Sequence, residues 1–262
     1  MKPGALLRLC AFLGYALLLA PGAVVLVLSF SAGEYLTFPP PGFSLRWYGA
    51  LLAHEEIMTG LRNSAILAAL VAAVSLLVAA PAAYAVARLD FPGRDTLAIL
   101  LAAPLLMPSL VVGLALLLAL QPIGLTATFP GLVLGHCVLT VPFAIRIMAT
   151  GLATVPRSLE AAAASLGASP LTTALRVTLP LAAPAAGAAA ALAFLVSFDE
   201  TVISLFLVGP RLPTLPIAMF RYAEHRADPL IAALSVALIV FAALMVVLIE
   251  RLMGLTRAMG RA

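Results

Sequence analysis

Residues 156–180 read PRSLEAAAASLGASPLTTALRVTLP, a stretch of mixed polarity between two apolar blocks. Ser158 is placed to cap a helix, and Leu159, Ala162, Ala163 and Leu166 recur at the i, i+3, i+4, i+7 spacing of one helix face. Gly167 follows as the glycine that ends such a helix in a left-handed turn. Ser169-Pro170 then restarts one, a capping residue followed by proline at the first helical position. The expectation is a short helix, a turn and a second helix leading into the next apolar block. Its small apolar residues need a covering surface, and two readings of that surface stand: a docked protein partner, or the bilayer face on which an amphipathic hairpin lies.

The flanking blocks decide where this hairpin sits. Of 262 residues, 64% are apolar and 10% are charged, and the mean hydropathy is +1.16. A water-soluble fold must keep a polar skin, and this composition cannot supply one. Six apolar stretches each reach the roughly 20 residues that cross a bilayer as a helix. They are Leu9–Phe30, Asn63–Ala87, Leu97–Leu120, Gly131–Thr150, Leu181–Val208 and Leu230–Ile249. The first is longer than the apolar core of a signal peptide and reads as an uncleaved helix. The fold expected is an all-α, six-span helix bundle, with residues 1–262 forming one transmembrane domain and residues 154–180 a loop within it.

Lys and Arg divide unevenly between the two sides. Lys2, Arg8, Arg88, Arg94, Arg146, Arg157, Arg176, Arg251, Arg257 and Arg261 share one side; Arg46, Arg62, Arg211, Arg221 and Arg226 share the other. The positive-inside rule puts the richer side, with both termini and the 156–180 hairpin, in the cytoplasm. Outside, Ser31–Arg62 carries three prolines (Pro39, Pro40, Pro41) and then Trp47 and Tyr48, which suit the bilayer interface. Gly209–Pro229 is the charged outer loop. Pro21, Pro81, Pro104, Pro108 and Pro142 fall inside spans and are candidate kinks, and Gly and Ala crowd the fifth span, where small residues permit close packing.

Several chemistries are excluded by counting. Fifteen Lys and Arg against eleven Asp and Glu give a formal charge of +4 without a basic run, which does not point to nucleic acid. Lys2 is the only lysine, so no phosphate-binding loop of the Walker type exists here. Cys10 and Cys137 sit apart in apolar runs, and His54, His136 and His225 are scattered. None of them is assigned to a metal, and no catalytic set is present.

The hairpin carries a resemblance to a known family. Gly167, then nine residues, Val177, one residue, and Leu179-Pro180 resemble the EAA loop of permease subunits of ATP-binding-cassette importers. The family's glutamate position, six residues before the glycine, holds Ala161, and Glu160 stands one residue early. Asn63-Ser64, Tyr84 with Arg88, and Phe91-Pro92-Gly93-Arg94 are similar to the same family. Ser197-Phe198-Asp199-Glu200, Leu215-Pro216 and Asp228-Pro229-Leu230 resemble its spermidine/putrescine branch, with permeases for ferric iron and other small solutes close by. The resemblance implies a bundle of the type I importer (MetI-like) kind in a bacterial inner membrane. It also implies a second permease, two nucleotide-binding ATPase subunits holding the ATP and Mg, and an extracytoplasmic solute-binding protein. No cofactor is expected on this chain. Glu160, Ala161, Ala162, Ala163, Leu166, Gly167, Leu179 and Pro180 then become the ATPase-coupling loop.

Asp199 and Glu200 are the acidic residues deepest in a span. An acidic side chain at mid-helix costs about 2.5–3.5 kcal/mol on insertion scales and therefore faces a cavity or a partner. On a straight helix Ser197, Glu200, Thr201 and Ser204 share a polar stripe and Asp199 points largely away. Glu200 then lines a solute path with Phe198 and Phe206 as aromatic faces. Asp199 pairs with the second permease or with a cation. The alternative is a structural ion pair, for instance with Arg146. Arg221, Glu224 and Arg226 are candidates for receptor docking or an ordinary solvated loop. A rival of another class, an ion-gradient transporter, would show repeats with interrupted helices and carboxylates in both halves; one acidic pair in one half argues against it.

Overall fold

The computed structural model describes residues 4–253; Lys2, Arg257 and Arg261, used in the charge count, lie outside them. The elements are helices throughout: α1 (Ala5–Ser29), α2 (Arg46–Ala53), α3 (Glu55–Arg88), α4 (Arg94–Leu106), α5 (Ser109–Leu120), α6 (Phe129–Thr154), α7 (Arg157–Ser165) and α8 (Pro170–Thr173) come first. A π-helical turn (Ala174–Thr178) then leads into α9 (Leu179–Leu181), α10 (Ala183–Phe198), α11 (Val202–Leu207), α12 (Leu215–His225) and α13 (Leu230–Met253). Extended pairing among the described residues is confined to an isolated bridge between Ser31 and Phe43.

Four of these, α1, α3, α6 and α13, contain uninterrupted stretches long and apolar enough to cross a membrane. Two bent pairs bring the number to six when each pair counts as one span. The third expected span, Leu97–Leu120, is one such pair: α4 and α5 meet at 101°. The cause lies in the backbone. Pro108 forces Met107 out of the helical region, to ψ 143°, and offers no N–H to continue the ladder. Pro21, Pro81, Pro104 and Pro142 lie inside continuous helices, so of the five candidate kinks Pro108 alone falls at a break. The fifth expected span, Leu181–Val208, is also corrected. Its helix α10 begins only at Ala183, after a 70° bend from Pro170–Leu181, and ends at Phe198.

The chain divides into two compact units. One contains the chain up to Met58 together with Ala218–Leu244. In it, α1 turns Phe12, Leu17 and Leu18 outward, each more than two-thirds exposed, and among its described side chains only Ser29 is buried. Such a surface is stable only against hydrocarbon or another apolar protein face. The following loop closes on itself, the Ser44 N–H donating to the Phe30 carbonyl at 2.7 Å. Tyr48 then donates to Ser29 Oγ at 2.8 Å and leans on Phe30. The Ser31–Arg62 loop thus contains a helix, α2, that its sequence did not announce.

The other unit holds Thr59–Ile217 and the chain from Met245. Its core has one cluster around Ala79, Ala83, Ala144, Met148, Leu152 and Ala189 and another around Leu67, Val71, Leu132, Ile203 and Leu207. Small residues let these helices approach: Gly151 of α6 faces Ala185 of α10, and Gly135 faces Leu207 and Ile203 of α11, with no room for a β-carbon at either glycine. The crowding of Gly and Ala in the fifth span serves this contact, since Ala189 and Ala193 of α10 are fully buried.

Candidate solute path and loop site

The 156–180 segment folds as its spacing predicts, with one change. α7 begins at Arg157 with Pro156 at its cap position, so Ser158 lies in the first turn and caps nothing. Gly167 takes φ +84°, the left-handed conformation that lets the chain reverse. Ser169 Oγ accepts the Thr172 N–H at 3.2 Å, with Pro170 at the first helical position of α8. Ala161, Ala162, Leu166, Gly167 and Pro180 are exposed, Ala163 and Leu179 are half-buried, and Leu166 at 89% exposure is the most open of the large apolar side chains.

Glu160 turns the other way. Its Oε1 lies 2.9 Å from Arg88 Nε in an ion pair and accepts a hydrogen bond from Thr178 Oγ1 at 2.9 Å. Arg88 Nη2 donates to the Val155 carbonyl at 2.7 Å. The end of α3, the start of the segment and its π-helical turn are therefore tied by one clasp. The Arg88 side chain is 6% exposed and Glu160 19%, so removing either charge strands the other in a poorly hydrated place.

The straight-helix reading of residues 197–204 is corrected. The chain leaves the helix at Asp199 and re-enters it at Val202, so no continuous stripe exists. Ser197 and Ser204 do turn the same way, but onto His136: its Nδ1 lies 2.9 Å from Ser197 Oγ and its Nε2 lies 3.0 Å from Ser204 Oγ. All three are buried. Glu200 Oε1 accepts the Ile203 N–H at 2.9 Å and so caps the first turn of α11. Thr201 Oγ1 donates to the Asp199 carbonyl at 3.2 Å. The Asp199 carboxylate is exposed, and among the described residues no ion pair joins Asp199 or Glu200 to Arg146. Phe198 stacks on Phe194 with centroids 5.8 Å apart, and the Phe206 ring fills the space beside Gly113.

His136 was not singled out by sequence reasoning, because a lone histidine in an apolar run carries no spacing signal. Its carbonyl accepts from Thr140 Oγ1 at 3.0 Å, and Thr140 shares a 2.7 Å hydrogen bond with Ser75 of α3. Two motifs quoted from the sequence also meet: Asn63 Nδ2 donates to the Pro213 carbonyl, and Ser64 Oγ accepts the Leu215 N–H, both at 2.9 Å.

The charged Gly209–Pro229 loop contains helix α12. Arg221 faces Glu56 at 3.6 Å, while Glu224 and Arg226 are exposed, Arg226 lying 5.7 Å over the Tyr222 ring. Tyr222 donates to Asp228 Oδ2 at 2.6 Å. Burial, then the hydrogen bond and negative charge of Asp228, push the Tyr222 phenol up to about 12.

An all-helical chain with up to six spans, an interrupted helix bearing acidic residues and an exposed apolar hairpin has the features of a membrane permease subunit. The chain belongs to the family of binding-protein-dependent transport system inner membrane components, whose model matches residues 75–257. It is 32% identical over 230 residues to the putrescine transport system permease protein PotI of Escherichia coli K12, covering 85% of this chain and 82% of that one. It is 28% identical over 233 residues to the spermidine/putrescine permease PotC of the same strain, covering 89% and 88%. The sulfoquinovosyl glycerol permease SmoH of Agrobacterium fabrum is 30% identical over 226 residues, covering 84% and 79%. The fold matches a chain of a bacterial ABC transporter that imports the acidic polysaccharide alginate (TM-score 0.68, 18% identity, 96% and 98% covered). It also matches a chain of an amino acid ABC transporter (TM-score 0.58, 18% identity, 80% and 96% covered). The protein is thus a multi-span permease subunit of a bacterial ABC importer in the inner membrane, and ATP hydrolysis in this family sits on partner subunits.

Proposed function

We propose that this subunit moves linear polyamines of the putrescine and spermidine class inward, paired with a second, similar permease. Two ATPase subunits drive it and an extracytoplasmic receptor delivers the cargo. The observation that carries this reading is the Asp199 carboxylate, exposed at a break in an apolar helix and in no ion pair among the described residues. A dehydrated ammonium group needs a carboxylate, a hydroxyl or an aromatic face in place of its water. Asp199 and Thr201 offer the first two within three residues, while the Phe198 ring expected beside them is buried and stacked on Phe194. An acidic cargo, such as the polysaccharide of the structural relative, would instead meet like charge. The names of PotI and PotC support the same class. Because Glu200 is engaged in capping α11, Asp199 is the better first ligand and Glu200 holds the break in shape.

Both termini lie in the cytoplasm in this reading, together with the 156–180 segment. Ala161, Ala162 and Leu166 seat in the ATPase. The Arg88–Glu160–Thr178 clasp passes the ATPase movement into α3 and toward α10. Arg221, Glu224 and Arg226 meet the receptor by complementary charge on the outer face.

The test is uptake of radiolabelled putrescine by the assembled complex in proteoliposomes. Asp199→Asn, which keeps size and removes charge, raises half-saturation at least tenfold with assembly intact. Unchanged uptake in Asp199→Asn would remove the carboxylate from the path.

A further inference from the structure

A helix that breaks inside a membrane leaves backbone groups without partners and needs neighbours to hold the break in one shape. The break at residues 199–201 contains neither proline nor glycine, so its own chain does not impose it. Ser197 closes the last turn of α10 and Ser204 stands in α11 beyond the break. A single side chain from α6, His136, bonds to both, at 2.9 and 3.0 Å, and all three are at most 2% exposed. A serine hydroxyl donates or accepts as required, so both bonds form with either imidazole nitrogen carrying the proton. The α6 turn that carries it is tied to α3 in turn. Thr140, one turn on in α6, bonds to the His136 carbonyl and to Ser75 of α3.

We infer that His136 is a positioning residue: it pins α10 and α11 on either side of the break and so keeps the turn at residues 199–201 open. This rests on the reading that residues 197–204 border the solute path. Glu200 completes the arrangement by capping the first turn of α11 from within the break. Without the pin, nothing in the sequence SFDET opposes a continuous helix. Asp199 keeps its helical place in either case, its N–H bonded to the Leu195 carbonyl at 3.1 Å, whereas on a continuous helix Thr201 would stand about 40° from Ser197, on the face packed toward α6.

The inference is tested on the complete complex in lipid with Cys10→Ala, Cys137→Ala and Thr201→Cys in this chain, labelled by a charged, membrane-impermeant thiol reagent. Three further backgrounds are compared: His136→Phe, the pair Ser197→Ala with Ser204→Ala, and all three together. Labelling at position 201 is expected to fall at least fivefold in the first two and no further in the third, because the three residues act as one unit. Labelling that stays unchanged in an assembled variant overturns the inference, as does a triple variant that falls by the product of the separate effects. Should His136→Phe fail to assemble, the serine pair, which removes two oxygen atoms, decides alone. In chains that keep Thr201, His136→Phe and the serine pair raise half-saturating putrescine at least fivefold while the maximal rate changes less than twofold; an unchanged half-saturation counts against the pin. A failure of the solute-path reading appears separately, as unchanged uptake in Asp199→Asn with the labelling result intact.

Discussion

Glu160 stands one position ahead of the family's glutamate, and its carboxylate is consumed within its own chain by Arg88 and Thr178. The exposed position that the family fills with glutamate is an alanine here. The ion pair is therefore internal, and its loss should be read as a loss of rigidity. Arg88→Ala leaves a partly buried carboxylate and is expected to cost up to about 3 kcal/mol, at the lower edge of fully buried pairs because Glu160 keeps some solvent. Glu160→Gln retains the Thr178 contact and costs less. Both variants should lower the thermal midpoint of the purified subunit and the maximal transport rate while leaving half-saturation unchanged. A shift in half-saturation alone would place the pair in the path and not in the linkage. Tyr222 gives a pH signature of its own. Its phenol is raised in the folded state, so its share of stability is complete below pH 10 and is lost as the pH climbs toward about 12. Tyr222→Phe removes that alkaline component from a thermal titration. Residue-level legibility was mixed. Asp199 stood out because charge is rare in an apolar span, whereas the partners of His136 lie 61 and 68 residues away in sequence. No local pattern joins positions so far apart.

At the scale of elements, periodicity and end signals located most helices. The turn at Gly167 and the restart at Ser169-Pro170 were readable because each residue type has a steric or hydrogen-bonding reason to be there. The breaks were harder. Pro108 broke its span and Pro81 and Pro142 did not, since a proline is tolerated wherever neighbouring groups satisfy the freed carbonyl. The break after Phe198 carries no sequence signal, because its cause is a side chain on α6. Close packing of α6 on α10 and α11 yields a direct prediction. Gly151→Val or Gly135→Val introduces atoms where Ala185 or Leu207 already stands, and overpacking costs typically 1–3 kcal/mol. Each is expected to lower the yield of folded subunit in detergent by size-exclusion chromatography. A monodisperse yield equal to that of the unaltered protein would contradict the close approach. Gly167→Val puts a β-branched residue at φ +84°. It should impair ATP-driven uptake more than folding, since the surrounding loop is exposed.

For the whole molecule, composition alone required a membrane, and the spacing around Gly167 resembled that of the importer family. The six apolar stretches agree with four continuous spans and two bent pairs, but they did not show the bends, because length and hydropathy do not register one. Orientation comes from the distribution of arginines, and it carries a prediction. Single cysteines placed at Ala161 and at Glu224 in a cysteine-free chain should label from opposite sides, the first only after permeabilisation of spheroplasts. Labelling of both from outside would invert the assignment. The central claim is that this chain is the permease half of an ATP-driven polyamine importer. Its most direct test is uptake by proteoliposomes holding the chain with its co-purifying permease and ATPases, with receptor added outside. The account predicts putrescine or spermidine accumulation that requires ATP within the ATPase compartment and persists when ion gradients are collapsed. Accumulation that follows an ion gradient and ignores ATP would contradict it.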